Sequence, residues 1–414
     1  MSDAKEIMRR LNALAQISED PGKLTRTFAS PAMRRANQLV ARWMRRAGMQ
    51  VRPDAIGNLI GHYAGKKPGA KILLLGSHLD TVRDAGKFDG PLGVILAIAC
   101  VEHLYRRQIR FPFAVQVIGF ADEEGVRYQT AYLGSKALAG CFDPADLQRK
   151  DAAGISMAEA IRIFGGHPTK IKSAAMNPKE LLGYIEAHIE QGPVLEKENL
   201  ALATVTVIAG QTRAKIIFQG RAGHAGTTPM NLRKDALCAA AEFILAAEHL
   251  ARNTTGLVAT IGQIHAGPGA VNVIAGETRL SLDVRHAKDS TRRSALKKLK
   301  LISQKIAKKR GLKIDFNLVH EASSVACSTK LSGLLAQAVL RRQKKLLQLP
   351  SGAGHDTAVM AGICPAAMLF IRCKNGISHH PAESVKSGDV KIALEVMNDF
   401  LQWTAEKYRQ IHDF

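Results

Sequence analysis

Short apolar runs bounded by glycine and polar residues recur along the chain, at 72–75, 113–120, 201–209 and 366–372. Each has the length and flanks of a buried strand rather than a helix. Longer stretches between them carry apolar residues at helical spacing. Residues 1 to about 50 contain two helical patterns, with Pro31 placed to open the second. The segment VRPDAIGNLIGHYAG follows as a pair of strands turning at Gly57-Asn58. A helix is expected from about 93 to 107, starting near Pro91-Leu92, because proline suits a first helical turn. The stretch from about 134 to 182 reads as helix-rich. Beyond 209 the order becomes strand, Ala-rich helix (233–251), strands near 256–264 and within 267–286, basic helix (289–310) and strand (312–319). That β-α-β-β-α-β order over about 115 residues is ferredoxin-like. The expected organisation is therefore an α/β domain over 1–208 and 325–414, interrupted by an α+β domain over 209–324. At 414 residues the chain exceeds what one core usually serves, which favours two domains.

Several apolar runs end in acids and histidines. The first breaks into GSHLDTVRDAGKFDGPLG, delivering His78, Asp80 and Asp89 to a strand's carboxyl end, where ligands and metals sit in open α/β sheets. The second ends in ADEEG, where Glu123 and Glu124 are adjacent and can face different partners, one a metal and the other the substrate as general base. LLGYIEAHIEQGPVLE carries His188, where a lone histidine is more often a hydrogen-bonded core residue than a ligand. The last run leads into CKNGISHHPAESV, with His379, His380 and Glu383. His355-Asp356 follows a Gly-rich turn at a helix start, where backbone donors can meet a substrate anion. Together these sets have the pattern of a two-metal site.

Charge and cysteine content narrow the picture further. The formal net charge is +22, with basic clusters at Arg42/Arg45/Arg46, Arg106/Arg107/Arg110, 297–313 and Arg341/Arg342/Lys344/Lys345. Nucleic-acid binding calls for interleaved aromatics, which make up only 5% of the chain. In LKKLKLISQKIAKKRG, Leu296, Leu299, Ile302 and Ile306 form a buried stripe and the lysines its solvated opposite face. The six scattered cysteines read as buried thiols in a reducing compartment. The N-terminus lacks an apolar signal core, and no apolar run is long enough to span a membrane. These features point to a cytoplasmic protein that binds neither nucleic acid nor membrane.

GSHLDTV, FDGPLG, ADEEG, EAHIEQGPVLE, RAGHAGTTPM and GISHHPAE occur in this order across nearly the whole chain. The combination resembles the dinuclear metal-dependent amidohydrolases related to the aminoacylase and carboxypeptidase G group. Among them are allantoate amidohydrolase, N-carbamoyl-L-amino-acid hydrolase and a β-ureidopropionase. The resemblance implies a metallopeptidase-type catalytic domain with a mixed sheet, interrupted by a dimerisation or lid domain, in a homodimer. It implies two divalent cations (zinc or manganese, with cobalt or nickel also suited to these ligands) held by His78, Asp89, Glu124, His188 and His379. Asp89 would bridge the ions, and His78 and His188 would serve different ones. Asp80 would orient His78, and Glu123 would be the general base. His380 stands where the family varies. In the small domain, His224 would stabilise the oxyanion, in cis or from a partner subunit, while Gln211, Asn272 and Arg285 match substrate-site positions. Of these, Asn272 and Arg285 would hold a substrate carboxylate.

The implied reaction is hydrolysis of a ureido or carbamoyl C–N bond beside a carboxylate. DEEGVRYQTAYLGS favours allantoate, a purine-catabolism substrate giving a ureidoglycine- or ureidoglycolate-type product, ammonia and carbon dioxide. N-carbamoyl amino acids and N-carbamoyl-β-alanine are the alternatives. A reading from a different class is a catalytically inactive basic binding protein.

Overall fold

The computed structural model describes residues 4–412 and divides into two compact units, Met1–Thr206 with Cys327–Phe414, and Val207–Ala326.

The first unit is built on a mixed sheet. Its strands run in the order Gln50–Pro53, Leu59–Tyr63, Ala114–Phe120, Ile72–His78, Leu181–Ile189, Ala366–Ile371, Leu202–Ile208. The four in the middle, from Ala114–Phe120 to Ala366–Ile371, are mutually parallel. They are apolar almost throughout because both faces are covered, as parallel sheets require. The helix Pro91–Arg106 packs against this sheet and is apolar nearly all round, since it is also buried on nearly all sides. Pro91 takes its first turn, as its fixed φ allows. Helix Pro31–Arg46 is capped by the Ser30 hydroxyl, which accepts from the Met33 amide at 3.0 Å. The turn at Gly57-Asn58 is pinned by Asp54, whose Oδ1 accepts the amides of residues 56 to 58.

The stretch 134–182 differs from expectation. It holds only short pieces, among them Leu133–Leu138 and Met157–Phe164, separated by 3₁₀ turns opened by Pro144, Pro168 and Pro178. Proline and glycine interrupt the helical periodicity too often for a long helix to propagate.

The second unit is an antiparallel sheet ordered Ile264–Gly267, Glu277–His286, Gly210–Gln219, Lys313–Ala322, with Val258–Thr260 beside Glu277–His286. Helices Ala236–Arg252 and Asp289–Lys309 cover one face, completing the ferredoxin-like order. Leu299 and Ile306 are buried, Leu296 and Ile302 pack at the margin, and Lys297, Lys298, Lys300, Lys305, Lys308 and Lys309 are exposed. None of the described helices is long and apolar enough to cross a membrane.

Candidate metal centre

The carboxyl ends of the four parallel strands deliver one polar cluster in the first unit. His78 ends its strand, His188 is the penultimate residue of its own, Glu123 and Glu124 follow Phe120, and His379 lies in the loop beyond Ile371. Asp89 arrives on the turn before helix Pro91–Arg106 and sits between the histidines. Its Oδ1 lies 3.0 Å from His188 Nε2 and 3.6 Å from His78 Nε2. Its Oδ2 lies 3.1 Å from His379 Nε2, which is also 3.4 Å from Glu124 Oε1. Asp89, His78 and His188 are buried, and His379 is half exposed.

The tautomers follow from the other ring nitrogens. His188 Nδ1 faces the Ile189 carbonyl at 2.9 Å, and His78 Nδ1 faces the Asp80 carbonyl at 3.1 Å. With protons at Nδ1, both Nε2 lone pairs point at one carboxylate oxygen. His188 Nε2 has no hydrogen-bond partner although it is fully enclosed. Lone pair against lone pair in a buried site is costly unless a cation lies between them. His78/Asp89/His188 and Asp89/Glu124/His379 are each close enough for shared coordination, and the nitrogen and oxygen donors suit a divalent transition metal. The residues therefore fit metal binding.

The geometry bears on how the ligands would divide between two ions, with His78 and His188 expected on different ones. His78 and His188 face the same oxygen of Asp89, so they group around one position, while His379 and Glu124 group around the other. Sequence separation alone carried no information about which lone pairs converge.

Electrostatics reinforce the case for cations. With no cation between them, the imidazoles of His188, His379 and His78 are pushed toward their protonated form by Asp89, and as donors they outweigh its burial and hold its carboxyl well below its usual range; a bound cation would take the place of those protons. Burial, with the neighbouring Glu124, Asp356 and Asp80, pushes Glu123 well above its ordinary value. Burial also lifts Glu124 to about 7. Asp122 is raised by burial and Asp80, and Asp356 by burial and Glu186. This excess of buried carboxyls is the field a multivalent cation would relieve.

Further contacts, some made by expected residues and some by new ones, brace the cluster. Asp80 does more than face His78, because its two oxygens accept the amides of Glu123 (3.0 Å) and Glu124 (3.1 Å). Glu383 Oε1 accepts the amides of Phe88 (2.7 Å) and Asp89 (3.1 Å), fixing the turn that presents Asp89. Gln191 Nε2 (2.8 Å) and Ser378 Oγ (2.7 Å) both donate to Asp89 Oδ2. Glu186 accepts from Ser77 Oγ and from the Thr357 amide. The donor at the start of helix Asp356–Met360 is thus occupied by the protein's own carboxylate rather than awaiting a substrate anion. His355 is enclosed, its ring 4.5 Å from that of His188 and its Nε2 2.9 Å from Ser351 Oγ. His380 is exposed and accepts the Ala382 amide.

The remaining expected residues lie in the second unit. Gln211 and Arg285 are cross-strand neighbours, and His224 pairs with Val273, next to Asn272, in a two-residue ribbon.

Peptidase family M20/M25/M40 matches residues 74–403, which span the entire metal-ligand candidate set. The chain belongs to this family. Its M20-type fold is shared with an amidase of the hydantoinase/carbamoylase family from Burkholderia multivorans, at a TM-score of 0.91 and 29% identity over 97% of this chain and 98% of that one. The N-carbamoyl-L-amino acid amidohydrolase of Geobacillus stearothermophilus is 40% identical, covering 96% of this chain and 97% of that protein. The allantoate deiminase of Arabidopsis thaliana is 39% identical, covering 96% of this chain and 82% of that protein. As an M20 member with amidohydrolase relatives, the protein is a hydrolase of amide-type C–N bonds.

Proposed function

We propose that this M20 hydrolase cleaves a ureido C–N bond beside a carboxylate, with allantoate as substrate and with two divalent cations held by His78, Asp89, Glu124, His188 and His379. The observation that carries the metal assignment is the convergence of two imidazole lone pairs on one buried oxygen of Asp89, opposite a second histidine–carboxylate group on its other oxygen.

Cations bound there would supply Lewis acidity and lower the pKa of water, making hydroxide accessible near neutral pH. Glu123 is the general base in this reading. Its amide is held by Asp80, which fixes the backbone from which the carboxylate projects. It takes the proton from attacking water and returns it to the departing nitrogen. Its burial keeps the proton from exchanging with bulk solvent during that interval. His224 donates to the developing oxyanion. Arg285 and Asn272, with Gln211, bind the substrate carboxylate, a task matched to guanidinium's fork of donors.

The choice of allantoate rests on DEEGVRYQTAYLGS and on relatives such as the Arabidopsis deiminase. The 40% identity to the Geobacillus enzyme favours N-carbamoyl-L-amino acids as the second reading. The deciding experiment measures ammonia release from manganese-reconstituted protein given allantoate, a panel of N-carbamoyl-L-amino acids, or N-carbamoyl-β-alanine. Preferential turnover of allantoate is expected. Preference for a carbamoyl amino acid would replace the substrate and leave the metal chemistry standing, whereas turnover of none would remove the catalytic reading.

A further inference from the structure

The sheet of the second unit gathers four polar side chains that the family assignment does not explain as a group. Strands Gly210–Gln219 and Glu277–His286 pair with Arg285 opposite Gln211 and Asp283 opposite Arg213. Side chains alternate along each strand, so Thr212, Ala214, Leu282 and Val284 enter the core. The four odd-numbered residues share the other face, and Asp283 ties them together. Its Oδ1 accepts from Arg285 Nε at 2.9 Å. Its Oδ2 accepts from a terminal nitrogen of Arg285 at 2.9 Å, from Gln211 Nε2 at 2.6 Å and from Arg213 Nε at 3.1 Å.

We propose that Asp283 is a positioning residue for substrate recognition, holding Arg285 and Gln211 as one pre-set donor pair for the substrate carboxylate. This rests on the reading above that Arg285 and Gln211 contact that carboxylate. A long guanidinium side chain has many rotamers, and freezing them on binding weakens affinity unless the protein has already frozen them. The bidentate grip on one edge of Arg285 does this and fixes the plane of its guanidinium. The charge count also fits. Two guanidiniums against one carboxylate leave the cluster net positive, so holding Arg285 does not neutralise its attraction for an anion. Burial raises the Asp283 carboxyl, but Arg285, Gln211 and Arg213 outweigh that and hold it below its ordinary range.

The test is a double-mutant cycle of Asp283→Asn and Arg285→Ala on the full-length, metal-reconstituted enzyme, with KM and kcat measured on allantoate and on N-carbamoyl-L-methionine. Asp283→Asn keeps the shape but removes the charge and one acceptor oxygen. It is expected to raise KM about tenfold, the loss of about 1.4 kcal/mol of binding, with kcat within threefold. In the Arg285→Ala background its effect should shrink well below tenfold, to the part that acts through Gln211. Asp283→Glu, which restores the charge on a longer arm, should recover part of the loss and serves as the variant if Asp283→Asn folds poorly. If Arg285→Ala raises KM but neither Asp283 variant changes it, the positioning role is overturned while the carboxylate reading stands. If the Asp283 effect persists in full in the Arg285→Ala background, or falls on kcat alone, Asp283 acts elsewhere and the proposal fails. If Arg285→Ala leaves KM unchanged, or the wild type hydrolyses neither substrate, the underlying reading fails and this inference falls with it.

Discussion

Gly90 gives the most direct test of whether His78 sits where a ligand must. It precedes helix Pro91–Arg106 at φ 78°, ψ −64°, in the γ-turn region that L-residues avoid. A Cβ there would stand 2.4 Å from His78 Cε1, 2.5 Å from Nδ1 and 2.6 Å from Nε2. Backbone strain alone costs about 1–2 kcal/mol for an alanine at positive φ. The contact is the larger effect, because ordinary carbon–carbon separation is about 3.5–4.0 Å and the imidazole would have to retreat by about 1 Å. It is enclosed, and its Nδ1 is anchored at the Asp80 carbonyl. A metal site tolerates ligand displacements of only about 0.2 Å. Gly90→Ala is therefore expected to fold, melt a few degrees lower, and bind metal at least tenfold more weakly, read by calorimetric titration of the apoprotein with Mn²⁺ or Zn²⁺. Gly69→Ala is the control, since Gly69 has φ +69° with nothing within 4 Å of an added Cβ. It should carry strain without loss of metal. Wild-type metal affinity in Gly90→Ala would refute the placement of His78 as a ligand.

Four further outcomes are expected. Glu123→Gln should retain metal content and thermal stability while kcat falls by about 10²–10⁴, the usual contribution of a general base; near-normal turnover would remove Glu123 from the mechanism. Treatment with EDTA followed by gel filtration should abolish activity and lower the melting temperature, with both restored by added Mn²⁺, since a ligand that binds only the folded state stabilises it. Only Cys141 and Cys238 are exposed, so a thiol reagent should label two groups in the native protein and six after unfolding; rapid labelling of a third would contradict the packing around Cys100, Cys327, Cys364 or Cys373. Glu102→Ala removes one of two carboxylate partners from the buried Arg10, whose terminal nitrogen lies 2.9 Å from Glu102 while its Nε keeps Glu6 at 2.8 Å, and chemical denaturation should show a loss of about 1–3 kcal/mol.

What the sequence revealed tracks the range of the interaction involved. Strand ends were legible because an apolar run followed by His, Asp or Glu is a local signal, and His78, Glu123 and Glu124 all lie at such breaks. The insert was legible from element order, since β-α-β-β-α-β needs only the sequence of periodicities. The contacts that brace the cluster were not, even where the residue itself stood out, because nothing local marks the partner. Glu383 holds the amides of Phe88 and Asp89 across almost 300 positions of chain, and Gln191 meets Asp89 only because two strands are neighbours in the sheet. Asp283 was hidden for a different reason: its spacing of two from Arg285 reads as ordinary strand alternation, and only the register against Gly210–Gln219 brings Gln211 and Arg213 onto the same carboxylate.

The distribution of buried charge shows why such bracing is needed. Asp80, Asp89, Asp122, Glu123, Glu186 and Asp356 are all enclosed in the first unit. Like charges in low dielectric repel strongly, so the apo cluster would relax outward unless its backbone were fixed. The amides of Glu123, Glu124 and Thr357 end on Asp80 and Glu186, and those of Phe88 and Asp89 on the equally buried Glu383, so backbone dipoles supply part of the compensating positive field. Arg26 supplies another part from below. It is enclosed, it donates to the carbonyls of Leu79, Leu14 and Ile17, and burial lowers it to about 10 with Asp80 and Glu19 opposing that fall. The compensation leaves Glu123 and Glu124 raised, and with them Asp122, Asp356 and Glu383. Part of that deficit of positive charge lies beside the two histidine–carboxylate groups that converge on Asp89, where divalent cations would offset it and bring the base toward its ionised form.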